Sequence, residues 1–413
     1  MTDATTAVPV RNEQVDSLLT GLMTTEGRED PYPTYHQLRA LAPVAVAPDG
    51  ALVLTRYADC DAVLRDPRFG RADPDRLYMT MGLGNWREHI GIYQWSTSML
   101  FRNPPDHTRL RRLVSGAFTA RRVMALRPAV VALTERLLDG LAEASGPVNF
   151  VDAFAFPLPI AVIGELLGIP AQDRAPFQGL VRDWTALLDV YDGDVLARAD
   201  RAGGQIRDYL ADLVSQRRRE PQEDLMTALV RAESAGDRLT EEELLTTAAL
   251  LFAAGFETTT HLLGNALVAL LDRPDQLPAL RQGDDGAATA VEELLRFDSP
   301  VQISGRMALT DADVAGVPVP AGQRVVAYLG AANRDPARFP DPDRLDLRRQ
   351  GVAPLSFGGG IHYCLGAALA RLEAQVALPA LFARFPDIAL AGAARRRDGL
   401  TLRGYLSLPV ATR

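Results

Sequence analysis

The 413-residue chain has a formal net charge of −8, and this acidic balance excludes the basic stripe that is typical of nucleic-acid-binding proteins. Hydrophobic residues make up 47% and charged residues 23%, which is the composition of a globular protein with a large core. The N-terminus lacks a basic stretch followed by an apolar one, so we expect no signal peptide, no membrane anchor and a cytoplasmic location.

Helical periodicity dominates from about Arg109 to Arg296, where apolar residues recur three and four positions apart. The most apolar stretch, from Leu244 to Leu271, is long enough to span a bilayer. However, Glu257, His261 and Asn265 interrupt it, and unpaired polar groups are costly in lipid. The stretch is therefore predicted to be a buried helix of a soluble protein.

The central helix has a clear start, because Thr240 to Glu243 fit a capping box, and we predict that it covers residues 240–271. Shorter strand-like segments cluster near the chain ends, at Gly50–Tyr57, Val314–Gly330 and Gly399–Thr412. No repeat, low-complexity tract or linker divides the chain. We predict one domain over residues 1–413, mainly α with a smaller β portion (α+β), with a partly flexible N-terminus over about residues 1–25.

One of the two cysteines, Cys364, lies in the glycine-rich stretch from Ser356 to Glu373, where a helix begins. Cys60 and Cys364 are too far apart to give a metal-ligand spacing or a disulfide framework. A helix N-terminus favours the thiolate, which is the form that acts as a nucleophile or as a metal ligand. The residues alone leave two alternatives open, namely a buried inert cysteine and a catalytic pair with His362.

The residues Phe357, Gly360, His362, Cys364 and Gly366 resemble the haem-binding loop of the cytochrome P450 family, Phe-x-x-Gly-x-(Arg/His)-x-Cys-x-Gly. The resemblance implies one haem b, with Cys364 as the axial thiolate ligand of the iron and residues 356–366 as the haem-thiolate loop. It also implies the single-domain cytochrome P450 fold with the long central helix over the haem. The chain looks similar to soluble actinomycete members that tailor natural products.

The central helix carries a second match, because Ala253 to Thr259 resembles the family's oxygen-activation stretch, (Ala/Gly)-Gly-x-(Asp/Glu)-Thr-Thr. Gly255 weakens the helix locally, and Thr258 can return a hydrogen bond to a preceding carbonyl, which would open a small groove. Glu257 and Thr258 would then form an acid–alcohol pair that passes protons to bound dioxygen. Phe256 stands where many bacterial relatives carry histidine. A helix with a polar stripe is the alternative.

A third match is Glu293 and Arg296, which lie three positions apart on one helical face. In the family this pair is buried and ties its helix to the proline-rich segment before the cysteine loop. We expect a third, structural member from that segment. Arg344 is the first choice and Arg349 the second.

The fourth match runs from Asn103 to Phe118 and resembles the helix that grips the haem propionates, with His107 and Arg111 four positions apart. Cationic donors suit carboxylates because charge-assisted hydrogen bonds are short and strong. The complete set of cofactor contacts that the resemblance implies is His107, Arg111, Arg306, His362, Phe357, Gly360, Gly366 and Leu100. The neighbouring arginines form either a solvated helix face or a surface for an acidic electron donor: Arg109, Arg112, Arg121 and Arg122.

By the same resemblance, the loop from Asp75 to Leu100 lines the substrate pocket. Other expected substrate contacts are Leu250, Ala253, Ala254, Ile303 and Tyr405. The loop is rich in aromatic residues, which either stack on a planar ligand or pack the loop in place: Tyr78, Trp86, Tyr93 and Trp95.

The resemblance implies a monooxygenase that uses O₂ to hydroxylate or epoxidise a mostly apolar small molecule, such as a natural-product intermediate. Electrons would come from a ferredoxin and a ferredoxin reductase, and the chain would act as a monomer. Alternatives are oxidative coupling or peroxide-driven oxidation by the same haem thiolate, and, in another class, a haem sensor without turnover. The intact Glu257–Thr258 pair argues against obligate peroxide use and would be unexplained in a sensor.

Overall fold

The computed structural model describes residues 9–189, 192–234, 237–280 and 282–412. Helices make up 58% of the chain, so the predicted class, mainly α with a smaller β portion, is confirmed. The predicted flexible segment over residues 1–25 falls partly on residues 1–8, which lie outside the described residues. Its second half contains the helix Glu13–Gly21.

The α-helices of the described ranges are numbered in chain order. The first ten are α1 Glu13–Gly21, α2 Thr25–Glu29, α3 Tyr32–Leu41, α4 Tyr57–Arg65, α5 Pro74–Thr80, α6 Ile90–Thr97, α7 Asp106–Ala117, α8 Ala120–Ala125, α9 Arg127–Glu143 and α10 Pro157–Leu167. The others are α11 Ala171–Arg174, α12 Phe177–Thr185, α13 Gly193–Arg219, α14 Leu225–Val230, α15 Glu241–Leu271, α16 Leu277–Leu280, α17 Gly283–Phe297, α18 Leu329–Ala332 and α19 Ala367–Arg384.

The β-strands are short and lie mostly toward the two ends of the chain. The first seven are β1 Val44–Val46, β2 Leu52–Leu54, β3 Phe69–Gly70, β4 Val148–Asn149, β5 Glu233–Ser234, β6 Asp237–Arg238 and β7 Ile303–Ala308. The others are β8 Ala312–Val314, β9 Val317–Val319, β10 Arg324–Tyr328, β11 Ala389–Leu390, β12 Arg395–Arg396, β13 Tyr405–Ser407 and β14 Pro409–Ala411. Each of the three predicted strand segments contains at least one of these strands.

The described chain divides into two compact units that interleave along the sequence. The first unit comprises the described residues up to Ala72, then Val268–Cys364 and Arg396–Gly404. The second comprises Asp73–Leu267, Leu365–Arg395 and the residues from Tyr405 onward. No helix of the described ranges is both long and apolar enough to cross a membrane.

The first unit is built on a five-stranded sheet in the order β1-β2-β10-β7-β3. Strand β10 pairs parallel with β2 and antiparallel with β7. Successive side chains of a strand point to opposite faces, so Leu52 and Leu54 enter one apolar core whereas Val53 enters the other. The sheet is therefore buried on both faces, and this fixes the register that places Arg306 opposite Val325.

The second unit is mainly helical and is organised around the long helix α15. Thr240 and Glu243 form the predicted capping box, because Thr240 Oγ1 accepts from the Glu243 N–H at 3.3 Å and a Glu243 carboxylate oxygen accepts from the Thr240 N–H at 2.9 Å. Phe252 and Phe256 pack edge to face, with ring centroids 5.4 Å apart. Phe256, which departs from the family pattern, is thus a core residue with 1% of its surface exposed.

Gly255 has a packing role that the sequence does not reveal. A Cβ at this position would lie 2.6 Å from a side-chain carbon of Ile163 on α10. The glycine therefore lets α10 approach α15 closely. Helix α15 continues through Gly255 without a break.

Candidate active site

The cysteine loop consists of two 3-10 turns, Leu355–Phe357 and Gly360–His362, and it closes where the Cys364 N–H donates to the Phe357 carbonyl at 3.0 Å. Gly360 has a φ of 64°, which favours glycine. A Cβ at Gly360 would lie only 2.3 Å from the Leu64 carbonyl oxygen of α4. The glycine thus allows the backbone of the cysteine loop to approach α4 closely.

The two cysteines lie in different environments. Cys60 is fully buried, its thiol donates to the Leu54 carbonyl at 3.4 Å, and burial raises the pKa of this thiol well above its usual value. Cys364 is half-buried, two residues before Gly366, which caps α19. Of the two, Cys364 is the residue that retains exposed surface.

Two arginines of the first unit share one carbonyl oxygen. Arg306 and Arg71 each donate to the Gly305 carbonyl, at 2.9 and 3.0 Å, and Arg306 also donates to the Ser304 hydroxyl. Arg306 is buried and has no carboxylate within ion-pair distance among the described residues, and burial lowers its pKa to about 10. A buried guanidinium without an acidic neighbour is costly, so this site suits a bound carboxylate. Sequence reasoning missed Arg71, because nothing in its local pattern distinguishes it from a surface arginine.

The other cationic residues predicted at the propionates lie on separate elements. His362 is half-buried in the cysteine loop of the first unit. His107 is 3% exposed and Arg111 is half-buried, both on α7 of the second unit. Leu100 is half-buried in the turn that precedes α7.

Helix α15 is buried from Leu244 to Leu267 except at three positions. Ala254 is exposed, and Gly255 and Thr258 are half-buried. These three residues form a patch one turn long on one side of the helix. The Thr258 hydroxyl donates to the Ala254 carbonyl at 3.1 Å, which confirms the predicted return hydrogen bond.

Glu257 lies next to Thr258 in sequence but on another side of the helix. Its carboxylate is buried, and Oε1 is 3.5 Å from Nε2 of His261. The structure therefore brings Glu257 together with His261, one turn away, and leaves Thr258 on the accessible patch. His261 was regarded in the sequence only as a polar interruption of an apolar helix.

The predicted substrate contacts differ in the surface that they offer. Leu250 and Ala253 are buried, at 5% and 1% exposure, whereas Ala254 is exposed and Ile303 is half-buried at the start of β7. Tyr405 is buried and lines a small cavity beside Glu257 and His261. Ala254 and Ile303 thus have surface available for a ligand.

The aromatic residues of the loop from Asp75 to Leu100 pack mainly against protein. Trp95 stacks on Trp184 of α12 with centroids 4.4 Å apart, and Trp86 stacks on Tyr93 at 6.3 Å. Tyr78, Trp86 and Trp95 are each buried. This favours the alternative in which these rings hold the loop in place.

The structural triad includes a correction. Glu293 and Arg296 are fully buried and form two hydrogen bonds, at 2.7 and 2.8 Å. The third side chain is Arg349, whose Nε donates to Glu293 at 3.2 Å, and the choice of Arg344 was wrong. Arg344 is exposed and contributes only its backbone carbonyl, which accepts from Arg296. Arginines are frequent in this segment, and the sequence alone does not show which of them turns inward.

The comparisons with known proteins agree with these motifs. The chain matches the family described as cytochrome P450 over residues 176–285 and 287–388. It is 42% identical to the cytochrome P450 monooxygenase PikC of Streptomyces venezuelae, over 95% of this chain and 94% of the relative. It is 40% identical to the 6-deoxyerythronolide B hydroxylase of Saccharopolyspora erythraea, over 92% and 96%.

A solved structure of P450BioI in complex with hexadec-9Z-enoic acid ligated acyl carrier protein is also similar. Its TM-score is 0.87 at 36% identity, and the likeness covers 94% of this chain and all of that one. Membership of this family implies haem, and the residues present fit the group. Cys364 is half-buried, and the buried Arg306, which has no acidic partner among the described residues, suits a propionate. The chain therefore belongs to the cytochrome P450 family and is a haem-dependent monooxygenase.

Proposed function

We propose that this monooxygenase inserts one oxygen atom of O₂ into a mostly apolar intermediate of natural-product biosynthesis, by hydroxylation or epoxidation. The observation that carries the proposal is the patch of Ala254, Gly255 and Thr258 on a helix that is otherwise buried. The patch combines an apolar surface with one hydroxyl. A reactive site for an apolar substrate needs both.

Haem, when bound, supplies the iron at which O₂ is activated. Cys364 would supply the thiolate, and the apolar contacts proposed for this group are Phe357, Gly360, Gly366 and Leu100. The cationic residues proposed for its propionates are Arg306, His362, His107 and Arg111, because carboxylates form strong charge-assisted hydrogen bonds with cationic donors.

Thr258 and Glu257 have different tasks in this proposal. The Thr258 hydroxyl lies on the accessible patch, where it would hold a proton for oxygen chemistry. Glu257 is buried on another side of the helix and would supply the protons that Thr258 passes on. Without protons held at this patch, reduced oxygen would leave as hydrogen peroxide instead of water.

The substrate class follows from the relatives and from the apolar patch. One relative is named a 6-deoxyerythronolide B hydroxylase, another is named a polyketide biosynthesis cytochrome P450, and a third was solved with hexadec-9Z-enoic acid ligated to an acyl carrier protein. We propose a polyketide-derived intermediate as the substrate class. The exposed, apolar Ala254 on α15 supports this proposal.

We propose a ferredoxin, with its ferredoxin reductase, as the electron donor, and a monomeric cytoplasmic enzyme. Arg112 on α7 and Arg121 on α8 are exposed and have no ion pair among the described residues. Exposed cations of this kind suit an acidic protein partner. Arg109 does not belong to it, because it is paired with Asp237 and Glu243.

The test is to compare Thr258→Ala with the wild type and with Thr258→Ser, using 6-deoxyerythronolide B as the probe substrate. A positioned proton donor contributes about a hundredfold to ten-thousandfold, so we expect Thr258→Ala to bind haem and consume oxygen but to yield mainly peroxide. Thr258→Ser keeps the hydroxyl and should keep product formation. The measurement is product and peroxide per electron pair. Unchanged coupling in Thr258→Ala would contradict the proposed role.

A further inference from the structure

Helix α15 places two ionisable side chains in the core of the second unit. Glu257 and His261 are one turn apart, and their side chains are 11% and 4% exposed. The distance from Nε2 of His261 to Oε1 of Glu257 is 3.5 Å. Burying such groups is costly. The packing of α15 does not require them, because their neighbours on the helix are mostly apolar.

A small cavity lies against this pair. Its volume is about 20 Å³, and its polar lining comes from Gln178, Arg182, Glu257, Thr260, His261 and Tyr405. A water molecule needs about 10–15 Å³ and two to four polar partners. Thr260 Oγ1 and both ring nitrogens of His261 are buried and have no hydrogen-bond partner among the described residues. The cavity is therefore built to hold one water.

The walls of the cavity differ in exposure. On the side of α12, Gln178 and Arg182 are half-buried and reach solvent. On the side of α15, Thr260 and His261 are at most 7% exposed. A water in the cavity thus connects half-exposed side chains with the buried imidazole. This connection leads from solvent, through the cavity water and the imidazole, to Glu257.

The cavity lining holds one acidic and one basic side chain besides the imidazole. Glu257 on α15 and Arg182 on α12 both line it. Tyr405 of β13 is the remaining titratable group of the lining, and Val151, Phe156 and Leu406 are apolar. Asp152 accepts from the Gln178 amide at 3.3 Å. The imidazole therefore has a carboxylate on its own helix and a half-buried cation among the other groups of the cavity.

We propose that His261 is the proton-entry residue of this enzyme, which takes protons from solvent through the cavity water and passes them to Glu257. The proposal rests on the proposed function, because the protons that His261 takes up are passed to the Glu257–Thr258 pair proposed there. The protonated ring gives one proton to the carboxylate and becomes neutral, and the cavity water returns one proton to the ring from solvent. The net change is one proton moved from solvent to Glu257, with no electron transferred. Because His261 acts only through Glu257, we class it as a positioning residue and not as a catalytic residue.

The first test is kinetic and uses His261→Gln in the haem-loaded enzyme. Oxygen consumption is driven by a ferredoxin and its reductase, without added ligand and with 6-deoxyerythronolide B. We expect about a tenfold slower rate, below the full contribution of a positioned proton donor. We also expect a larger solvent deuterium isotope effect. The matched control is His36→Gln, because Nε2 of His36 lies 2.9 Å from a carboxylate oxygen of Asp343, but at a half-exposed site outside the expected haem and substrate contacts.

The second test is spectroscopic and needs no turnover. The chain has five histidines, and ¹⁵N-histidine labelling resolves their rings in the diamagnetic reduced carbon monoxide complex. The His261 signal is assigned by its loss in His261→Gln, or in His261→Asn if the first variant does not take up haem. We expect the His261 ring signals to shift in Glu257→Gln, because the carboxylate oxygen that lies 3.5 Å from Nε2 is lost.

The outcomes separate this proposal from the proposed function. Wild-type kinetics in His261→Gln, or His261 ring signals that are unchanged in Glu257→Gln, would overturn the role of His261. If Glu257→Gln slows oxygen consumption while His261→Gln does not, the Glu257–Thr258 pair keeps its proposed role. Protons would then enter at a residue other than His261, which overturns the present proposal alone. If Thr258→Ala and Glu257→Gln both behave as wild type, the proposed function fails. His36→Gln as slow as His261→Gln would show a general effect of histidine loss and would also overturn the proposal.

Discussion

Glu373 on α19 is fully buried, and neither of its carboxyl oxygens has a hydrogen-bond partner among the described residues. Burial raises the pKa of this carboxyl well above its ordinary value of 4.5. The folded chain therefore keeps a proton that the unfolded chain loses. Stability must fall as pH rises from about 4.5 toward the raised pKa, because the folded state binds more protons in this window.

We predict that Glu373→Gln weakens this pH dependence. The amide has nearly the same shape and no ionisation, so the loss of up to about 1.4 kcal/mol per pH unit should disappear. The measurement is the free energy of unfolding in urea at pH 5 and pH 8. At pH 8 the free energy of unfolding of the variant should be higher relative to that of the wild type than it is at pH 5. Glu143→Gln is the control, because Glu143 is exposed and its loss should change little. A variant that loses stability at pH 8 would show that the carboxyl has a partner.

Single residues were predicted best where the chemistry is local. The return hydrogen bond of Thr258 could be predicted because its acceptor is four residues away on the same helix. The pairing of Arg71 with the Gly305 carbonyl could not, because the two positions come from distant segments of the chain. His261 was visible in the sequence, but only the cavity beside it distinguishes it from a buried polar residue.

At the scale of elements, α17 is tied to the segment that precedes the cysteine loop. Arg296 donates to the carbonyls of Asn333 and Pro342 at 2.9 and 2.7 Å, and Glu293 accepts from the Asp346 N–H at 3.0 Å. Arg349 joins them from the same segment. A segment with four prolines forms few backbone hydrogen bonds of its own. These side chains therefore supply the hydrogen bonds that a strand or a helix would form within its backbone.

We predict that Arg349→Ala lowers the free energy of unfolding by about 1–3 kcal/mol, the usual cost of a lost hydrogen bond to a buried charged group. The matched variant is Arg344→Ala, whose side chain is exposed, and it should stay within about 0.5 kcal/mol of the wild type. Chemical unfolding of the haem-loaded proteins measures both. Equal effects of the two variants would contradict the assignment of Arg349 as the third member.

Long elements were predicted more reliably than their packing. The capping box and the apolar periodicity predict the bounds of α15 to within one residue, because both signals lie in the helix itself. The role of Gly255 did not follow, since it depends on Ile163 of another helix. The aromatic loop left two alternatives open for the same reason, and only Trp184 of α12 decides in favour of packing.

At the scale of the whole molecule, the family and the reaction class could be predicted because the motifs are specific and each lies within one element. The substrate could not be predicted in this way. It depends on the surface that several segments offer together, and only some of the expected positions, such as Ala254 and Ile303, have that surface. The two compact units interleave in sequence, so proximity along the chain says little about which residues share a site.

The central claim is that Cys364 binds the haem iron as a thiolate. The most direct measurement is the absorption spectrum of the reduced protein with carbon monoxide, compared for the wild type, Cys364→His and Cys60→Ala. Thiolate ligation gives a strongly red-shifted Soret band. We predict this band in the wild type and in Cys60→Ala, because the Cys60 thiol is buried against the Leu54 carbonyl, and its loss in Cys364→His. A wild type without the band, or a Cys364→His variant that keeps it, would contradict the account.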